Sequence, residues 1–180
     1  LMKKGLKLAA LAAAAVLLLS FAGCAVDVPD SSSTSSETTS DSTSETESAA
    51  PEVDESKYED TLDGLAKYMI AKEYIAGDAT EMEADFIGAE KGVKYTGSFE
   101  GTNNISMELY EYDTANLNDT AKEIIDSVKK DGKFELMGMT ADAVVSDNGK
   151  YLMVYKDSAS GETHDARTEQ VKADFQAFKK

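Results

Sequence analysis

The segment ISMELYEY at residues 105–112 decides the fold, because its apolar and polar side chains alternate. Alternation with a period of two is typical of a β-strand that places one face in the core. The odd-numbered positions up to Leu109 are apolar, whereas Tyr110 and Tyr112 fall on the opposite face. We therefore predict a strand that ends near Tyr112, and each of its faces must meet solvent, a helix or a partner.

Upstream of this strand, the pattern predicts one long helix, one short helix and one strand. Ser56 and Glu59 form a capping box, apolar residues follow at helical spacing, and Gly77 is the expected stop. A short helix is expected over residues 78–85. A glycine-punctuated turn then leads to a strand over residues 93–96.

A second long helix is expected after the central strand. Asp113 or Thr114 can cap its N-terminus, an apolar stripe recurs at helical spacing through Val128, and Gly132 ends it. Two lysines precede that glycine, where positive charge stabilises a helix C-terminus.

The remaining residues predict a hairpin and a last helix. Residues 134–139 are apolar and should be extended. Residues 143–146 and 150–156 flank Asn148-Gly149, the preferred pair for a type I′ hairpin turn. A helix from about Asp165 would place three apolar residues on one face: Val171, Phe175 and Phe178.

The resulting order, α-β-β-α-β-β-α, predicts an α+β domain over residues 56–180, with helices packed on an antiparallel sheet of about four strands. About 125 residues can bury a core without disulfides. The arrangement resembles a class of small uncharacterised exported bacterial lipoprotein domains. In that class an Ile-Gly-Ala-x-x-Gly element precedes a hairpin and a strand ends in a Leu-Tyr-Glu-Tyr-Asp-like segment, here residues 87–92 and 109–113. The resemblance implies no activity.

The charge balance and the single cysteine exclude several classes of function. The 180-residue chain has 34 acidic and 18 basic side chains and a formal charge of −16. Nucleic acid is not expected as a partner, because binding it requires Lys and Arg to neutralise phosphates. One cysteine can form neither an intrachain disulfide nor a Cys-based zinc site. No cofactor is expected.

The N-terminus combines a basic start at residues 2–7 with twelve uncharged residues, Leu8 to Leu19. A helix of this length spans roughly 18 Å, which is short of the ~30 Å hydrocarbon core of a bilayer. We therefore expect residues 1–23 to be a secretory signal peptide rather than a transmembrane helix.

The four residues Phe21-Ala22-Gly23-Cys24 follow that segment. They resemble the bacterial lipobox, which has an apolar residue, two small residues and a cysteine, although Phe21 stands where Leu is usual. The resemblance implies cleavage after Gly23 and a diacylglyceryl group on Cys24, which would anchor the protein in the membrane. The alternative is ordinary cleavage after Ala22, with Ser20 and Ala22 as the small pair.

Residues 24–55 have the composition of a tether. Between residues 31 and 48, fourteen positions are Ser or Thr and the other four are acidic. Such a segment cannot bury enough apolar area to offset the entropy of ordering it, so we expect disorder. Its function would be to hold the folded domain away from an anionic membrane; the alternative is low-complexity sequence that nothing selects against, and both predict disorder.

Few side chains suggest catalysis. His164 is the only histidine, and no Gly-x-Ser-x-Gly motif supplies a nucleophile for it. We interpret it as a solvated loop histidine before the last helix. Carboxylates are too abundant to single out a catalytic pair, so we assign no catalytic residue.

Two segments carry side chains that could bind a metal. Four oxygen-bearing residues crowd the strand-to-helix turn: Asp113, Asn116, Asn118 and Asp119. They suit calcium but lack the EF-hand spacing, and a helix cap explains Asp113 equally well. Met137 and Met139 suit Cu(I), although Met more often fills gaps in a core. No metal site is predicted.

Four tyrosines on the predicted strands are the candidates for a binding surface: Tyr110, Tyr112, Tyr151 and Tyr155. Tyr is enriched at protein interfaces, and its β-propensity explains the same positions by sheet packing. The leading hypothesis is a lipid-anchored, extracytoplasmic module that binds an envelope protein or a wall component. The alternatives are a small cell-wall hydrolase that uses carboxylates and a solute-binding lipoprotein.

Overall fold

The structure, a computed structural model, describes residues 50–180. The predicted signal peptide, Gly23, Cys24 and most of the predicted tether lie outside the described residues. Within residues 50–180, no helix combines the length and the apolar character needed to span a lipid bilayer. Two short 3-10 helices, Glu55–Lys57 and Asp85–Ile87, accompany the α-helices and strands of this range.

The described chain forms a layered domain around one main sheet. Its helices are α1 (Leu62–Ala71), α2 (Asp119–Asp131) and α3 (Glu162–Ala177). Its strands are β1 (Ala76–Glu81), β2 (Lys91–Gly97), β3 (Ile105–Glu111), β4 (Lys133–Leu136), β5 (Met139–Asp142), β6 (Val144–Val145) and β7 (Tyr151–Asp157). Five strands form an antiparallel sheet in the order β1-β2-β3-β7-β6, and β4 and β5 form a separate antiparallel hairpin. The predicted α+β class is confirmed, with seven strands in the described residues rather than about four.

The alternation in β3 directs its side chains into two layers of the core. Ile105, Met107 and Leu109 belong to the cluster formed with α1 and α3, and we call this side of the sheet the α1/α3 face. Tyr110 and Tyr112 belong to the cluster formed with α2, on what we call the α2 face. Both faces of β3 therefore meet helices, and burial of apolar area from both sides stabilises the sheet.

Helix α1 begins at a different cap from the predicted one. The Thr61 hydroxyl accepts a hydrogen bond from the Gly64 N–H at 3.1 Å, so Thr61 is the N-cap. The predicted capping box of Ser56 and Glu59 is wrong. Ser56 lies in the first 3-10 helix, where its N–H and hydroxyl both donate to Asp54.

Strand β1 occupies the predicted helix stop at Gly77 and the first half of the predicted short helix over residues 78–85. Helix α1 ends at Ala71, and Gly77 lies inside β1 rather than at a helix end. Its φ of 79° coincides with an irregular register between Ala76 and Thr80. All six residues of β1 are exposed, so no apolar alternation marks this strand in the sequence.

Helix α2 begins later than predicted and ends where predicted. Asn118 Oδ1 accepts a hydrogen bond from the Ala121 N–H at 2.8 Å, so the N-cap is Asn118 and not Asp113 or Thr114. Gly132 is the C-cap, and the predicted apolar stripe of the helix is buried.

The two-residue turn with positive φ lies elsewhere than predicted. Main-chain hydrogen bonding between residues 146 and 151 closes a four-residue loop around Asn148-Gly149. Asn148 lacks the positive φ that a type I′ turn requires. Met137 and Gly138 have φ of 51° and 78°, as in a type I′ turn, and connect β4 to β5.

The predictions for the C-terminal third are largely confirmed. Residues 134–139, expected to be extended, comprise most of β4, the turn and the first residue of β5. Helix α3 begins at Glu162, three residues before the predicted Asp165. The three apolar residues predicted for one face are fully buried: Val171, Phe175 and Phe178.

The first described residues are tied to the last residues of the chain. Ala50 and Val53 pack against the α1/α3 face, although both lie in the segment predicted as tether. The Lys179 N–H donates to Glu55 Oε1 at 2.6 Å, and Lys179 Nζ donates to the Glu55 carbonyl at 3.1 Å. Residues 50–55 are therefore part of the packed domain.

Candidate functional site

Strand β7 has an open edge where β6 stops. The two residues of β6 pair only with Met153 and Leu152, whereas β7 continues to Asp157. The Ser146 N–H donates to the Tyr151 carbonyl at 2.9 Å, which shows that odd-numbered residues of β7 turn their main-chain groups towards β6.

The main-chain N–H and C=O groups of Tyr155 and Asp157 therefore point to the outer edge of the sheet, beyond the end of β6. No residue in the range 50–180 forms a hydrogen bond with them there. Unpaired main-chain groups along a strand edge are a template for another strand.

A cavity of about 970 Å³ borders this edge and extends across the end of the sheet to β2 and β3, and we call it the β7 cleft. One wall is formed by residues 142–144, where β5 runs into β6. The other wall is a stripe on the first three turns of α3: His164, Asp165, Thr168 and Lys172. The volume falls within the range of ligand sites in proteins, so the edge is recessed between two walls.

His164 closes one end of the β7 cleft and is not the solvated loop histidine that we predicted. It lies in the first turn of α3 and is 9% exposed. Its Nδ1 lies 2.6 Å from Asp157 Oδ2, and its ring packs edge-on against Phe99. Its Nε2 lies 3.9 Å from Glu100 Oε2. In residues 50–180 no hydroxyl group forms a hydrogen bond with Nε2, so His164 has no nucleophile of the serine-hydrolase type beside it.

Asp157 holds this end of the cleft together. Its side chain is 5% exposed, and its Oδ1 accepts hydrogen bonds from Asn104 Nδ2 and from the Ala159 N–H, both at 2.9 Å. Burial raises the pKa of Asp157, but the hydrogen bonds from His164, Ala159 and Asn104 outweigh burial and lower the pKa below its ordinary value. The carboxylate thus joins the β2–β3 loop, β7 and α3.

The four predicted binding-surface tyrosines are all buried, which corrects the prediction that they present a surface to a partner. Tyr110 and Tyr112 lie in the α2 layer, and Tyr151 and Tyr155 lie in the α1/α3 layer. The Tyr112 hydroxyl donates to the Ile87 carbonyl at 3.3 Å, and burial raises the pKa of Tyr112. Sheet packing accounts for these positions, and only Tyr155 lines the β7 cleft.

Three of the four residues considered for calcium form hydrogen bonds within their own turn or cap a helix: Asp113, Asn116 and Asn118. Asp113 accepts hydrogen bonds from Asn116 Nδ2 at 2.7 Å and from the Ala115 N–H at 3.0 Å, and these bonds lower the pKa of Asp113. Asn118 caps α2, and Asp119 is fully exposed. Residues 50–180 contain no group of three or more His, Cys, Asp or Glu side chains suited to a metal ion.

The thioethers considered for copper do not fill a gap in the core. Met137 is 75% exposed and Met139 is 69% exposed, at the tip of the β4–β5 hairpin. The interpretation of Met as a core filler is therefore wrong for this pair.

Two features of the domain escaped the sequence analysis. The open edge of β7 depends on β6 having only two residues. No residue from Ala143 to Ser146 indicates in the sequence that this strand is so short. Glu111 is buried, and for it a signal was present, because the alternation of β3 places Glu111 on the same face as Leu109.

Comparison of the chain with protein-family models, with curated proteins and with solved structures found no match. Similarity therefore assigns no site, and the candidates rest on geometry. The β7 cleft combines a ligand-sized cavity with main-chain groups that lack partners among the described residues.

Proposed function

We propose that the protein is a lipid-anchored, extracytoplasmic module that binds an extended peptide segment of an envelope protein. The peptide adds to the sheet as a strand along β7, in line with β6. The observation that carries this proposal is the unpaired main chain of Tyr155 and Asp157 inside the β7 cleft. A peptide backbone offers donors and acceptors at the spacing of a strand edge, and side chains of the walls add specificity.

The opposite edge of the sheet is less suited to strand addition. Strand β1 contains the irregularity at Gly77, and its six residues are all exposed. A bulge and acidic side chains such as Asp78 and Glu81 discourage edge-to-edge pairing. The β7 edge has regular pairing with β3 along its whole length and is enclosed by two walls.

The geometry favours binding over the two alternatives. A glycoside hydrolase needs a carboxylic acid whose pKa is raised, whereas hydrogen bonds lower the pKa of Asp157, the carboxyl group at the His164 end of the β7 cleft. A solute-binding lipoprotein would hold its ligand between two lobes, whereas residues 50–180 are built around one main sheet.

The anchor is tested by replacing Cys24 with serine. We expect the mature wild-type chain to begin at a diacylglyceryl-modified Cys24 and to sediment with membranes, because two acyl chains give stable attachment. Cys24→Ser should shift the protein at least tenfold towards the soluble fraction, whereas Ser32→Ala, in the tether, should leave fractionation unchanged. Mass spectrometry of the mature N-terminus provides the measurement, and an N-terminus at Gly23 with a free thiol would contradict the anchor.

The cleft is tested with extended peptides selected from a displayed random library on the purified full chain. We expect a selected peptide to slow hydrogen exchange of the Tyr155 and Asp157 amides, because both would donate to the added strand. Thr168→Trp narrows the cleft from the α3 wall and should weaken binding of this peptide at least tenfold. Ala166→Trp adds the same side chain at an exposed position of α3 outside the cleft lining and should leave the affinity unchanged.

Three results would overturn the proposed site. They are a library that yields no binder, a binder that protects the amides of β1 instead, and a Thr168→Trp variant that binds as well as the wild type. A fourth contrary result would be concentration-dependent protection of Tyr155 and Asp157 without peptide, because it would assign the edge to a second copy of this chain.

A further inference from the structure

A second cavity contains a buried carboxylate with an unused acceptor. Glu111 ends β3 and is 7% exposed. Its Oε1 lies 3.3 Å from Lys150 Nζ, whereas its Oε2 is buried and accepts no hydrogen bond from any residue in the range 50–180. A buried acceptor without a donor is unfavourable, so a ligand that supplies a donor to Oε2 would bind more tightly than one that does not.

The two neighbouring lysines satisfy Glu111 only in part. Lys91 Nζ lies 3.7 Å from Oε2, which is beyond hydrogen-bond distance, and the Lys91 side chain is largely exposed. Lys150 is shared with Asp60, because its Nζ donates to the Asp60 carbonyl and lies 3.4 Å from Asp60 Oδ1. A further N–H donor at Oε2 would therefore complete the carboxylate without displacing Lys150.

The cavity at Glu111 has about 490 Å³ and combines an apolar floor with acidic walls; we call it the Glu111 pocket. Its larger apolar lining residues come from α1, from β2 and from the position directly after β1: Leu62, Val93, Tyr95 and Met82. Its charged residues are four acids and one lysine: Asp63, Glu81, Glu90, Glu111 and Lys91. This lining is complementary to a molecule with a positive charge and a hydrocarbon body.

We propose that the Glu111 pocket binds an aliphatic ammonium cation. The ammonium N–H groups donate to Glu111 Oε2, and the hydrocarbon chain covers the apolar floor. A metal ion is a poorer match, because residues 50–180 offer no group of three or more acidic, His or Cys ligands arranged for one. The pocket is lined by α1, β1, β2 and the end of β3, so this inference does not rest on the β7 cleft.

The test uses n-pentylammonium as the probe and n-pentanol as its uncharged counterpart, titrated into the full chain by calorimetry. We expect saturable one-to-one binding of n-pentylammonium and none of n-pentanol over the same concentrations. Lys91→Met removes the competing cation and should tighten binding several-fold. Glu111→Gln should weaken it at least tenfold, whereas Asp126→Asn, which makes the same charge change at an exposed position of α2, should have no effect.

Thermal unfolding of each variant shows whether it is folded. If Glu111→Gln does not fold, Ala79→Trp decides, because it fills the pocket from β1, leaves Glu111 in the sequence and should abolish binding. The inference is overturned by an absence of saturable binding, by equal affinity for n-pentanol, or by a Lys91→Met variant that binds more weakly. It is also overturned if Asp126→Asn weakens binding as much as Glu111→Gln, since the probe would then sense only the net charge.

Discussion

Gly64→Ala should lower the free energy of unfolding by about 3 kcal/mol, although alanine is the better helix former by about 1 kcal/mol. Gly64 lies in the first turn of α1, where an added Cβ would approach the Glu59 carbonyl oxygen to 2.0 Å. The obstacle is main chain and cannot rotate away. Glu59 itself is held in place through Asp60, the residue after it. Lys150 Nζ donates to the Asp60 carbonyl, and the Tyr151 hydroxyl lies 2.7 Å from Asp60 Oδ1.

Urea unfolding at neutral pH measures this loss, and Gly97→Ala is the matched control. A Cβ at Gly97 would come no closer than 3.5 Å to its neighbours, which is ordinary van der Waals contact. We expect the control to change stability by less than about 1 kcal/mol. A Gly64→Ala variant as stable as the wild type would show that the segment before α1 is not held as the structure describes.

Asp157→Asn should lower the free energy of unfolding by about 3 kcal/mol at pH 7. The two carboxylate oxygens accept hydrogen bonds from three groups, on His164, Asn104 and Ala159. An asparagine side chain has one acceptor oxygen, and its NH₂ group would face a donor. At least one buried polar group would lose its partner, and the ionic contribution would be lost with it.

The loss should depend on pH with a definite sign. The ordinary pKa of an Asp carboxyl is about 3.9, and the pKa of Asp157 is lowered in the folded protein. The folded state therefore binds this proton less readily than the unfolded state. The stability contributed by Asp157 is complete above about pH 5 and is lost as the pH falls through 3.9 and then through the folded pKa. The difference in the free energy of unfolding between wild type and Asp157→Asn should therefore become smaller as the pH falls.

Denaturant midpoints at several pH values between 7 and 3 provide the measurement. Asp165→Asn is the control, because Asp165 lines the same cleft but is exposed. A constant difference between wild type and Asp157→Asn across that pH range would mean that the carboxylate is not ionised and hydrogen-bonded in the way described.

The sequence predicts well those elements whose apolar residues recur at the spacing of a strand or of a helix. Strand β3 alternates between two buried layers, and α3 carries Val171 and Phe175 at helical spacing with Phe178 as its C-cap, so both elements were predicted. Strand β1 could not be predicted, because an edge strand with six exposed residues gains its structure from pairing with β2 rather than from burial.

Turn positions show a different limit of prediction. Asn148-Gly149 has the residues preferred for a type I′ turn, but β6 and β7 are joined by a longer loop. Met137-Gly138 adopts the positive φ values although Met is unfavourable there. A non-Gly residue in the left-handed conformation costs roughly 1–2 kcal/mol, and the register of the strands on each side of a turn can override such a local preference.

The candidate sites were predictable only in part. The four tyrosines were identified as a group, but their burial depends on α2, α1 and α3 covering both faces, which alternation in one strand does not reveal. Glu111 could have been noticed as a carboxylate on an apolar face. The β7 cleft could not, since it exists only because one short strand ends early.

The exposed tip of the β4–β5 hairpin has a chemical consequence for the protein in an oxidising environment. The sulfur atoms of Met137 and Met139 are accessible to peroxide or hypohalous acid in solution. Three other methionines are fully buried: Met69, Met107 and Met153. Conversion to the sulfoxide would therefore begin at this turn, where a more polar side chain disturbs no packing. The methionines of the hairpin would therefore be oxidised before those of the core.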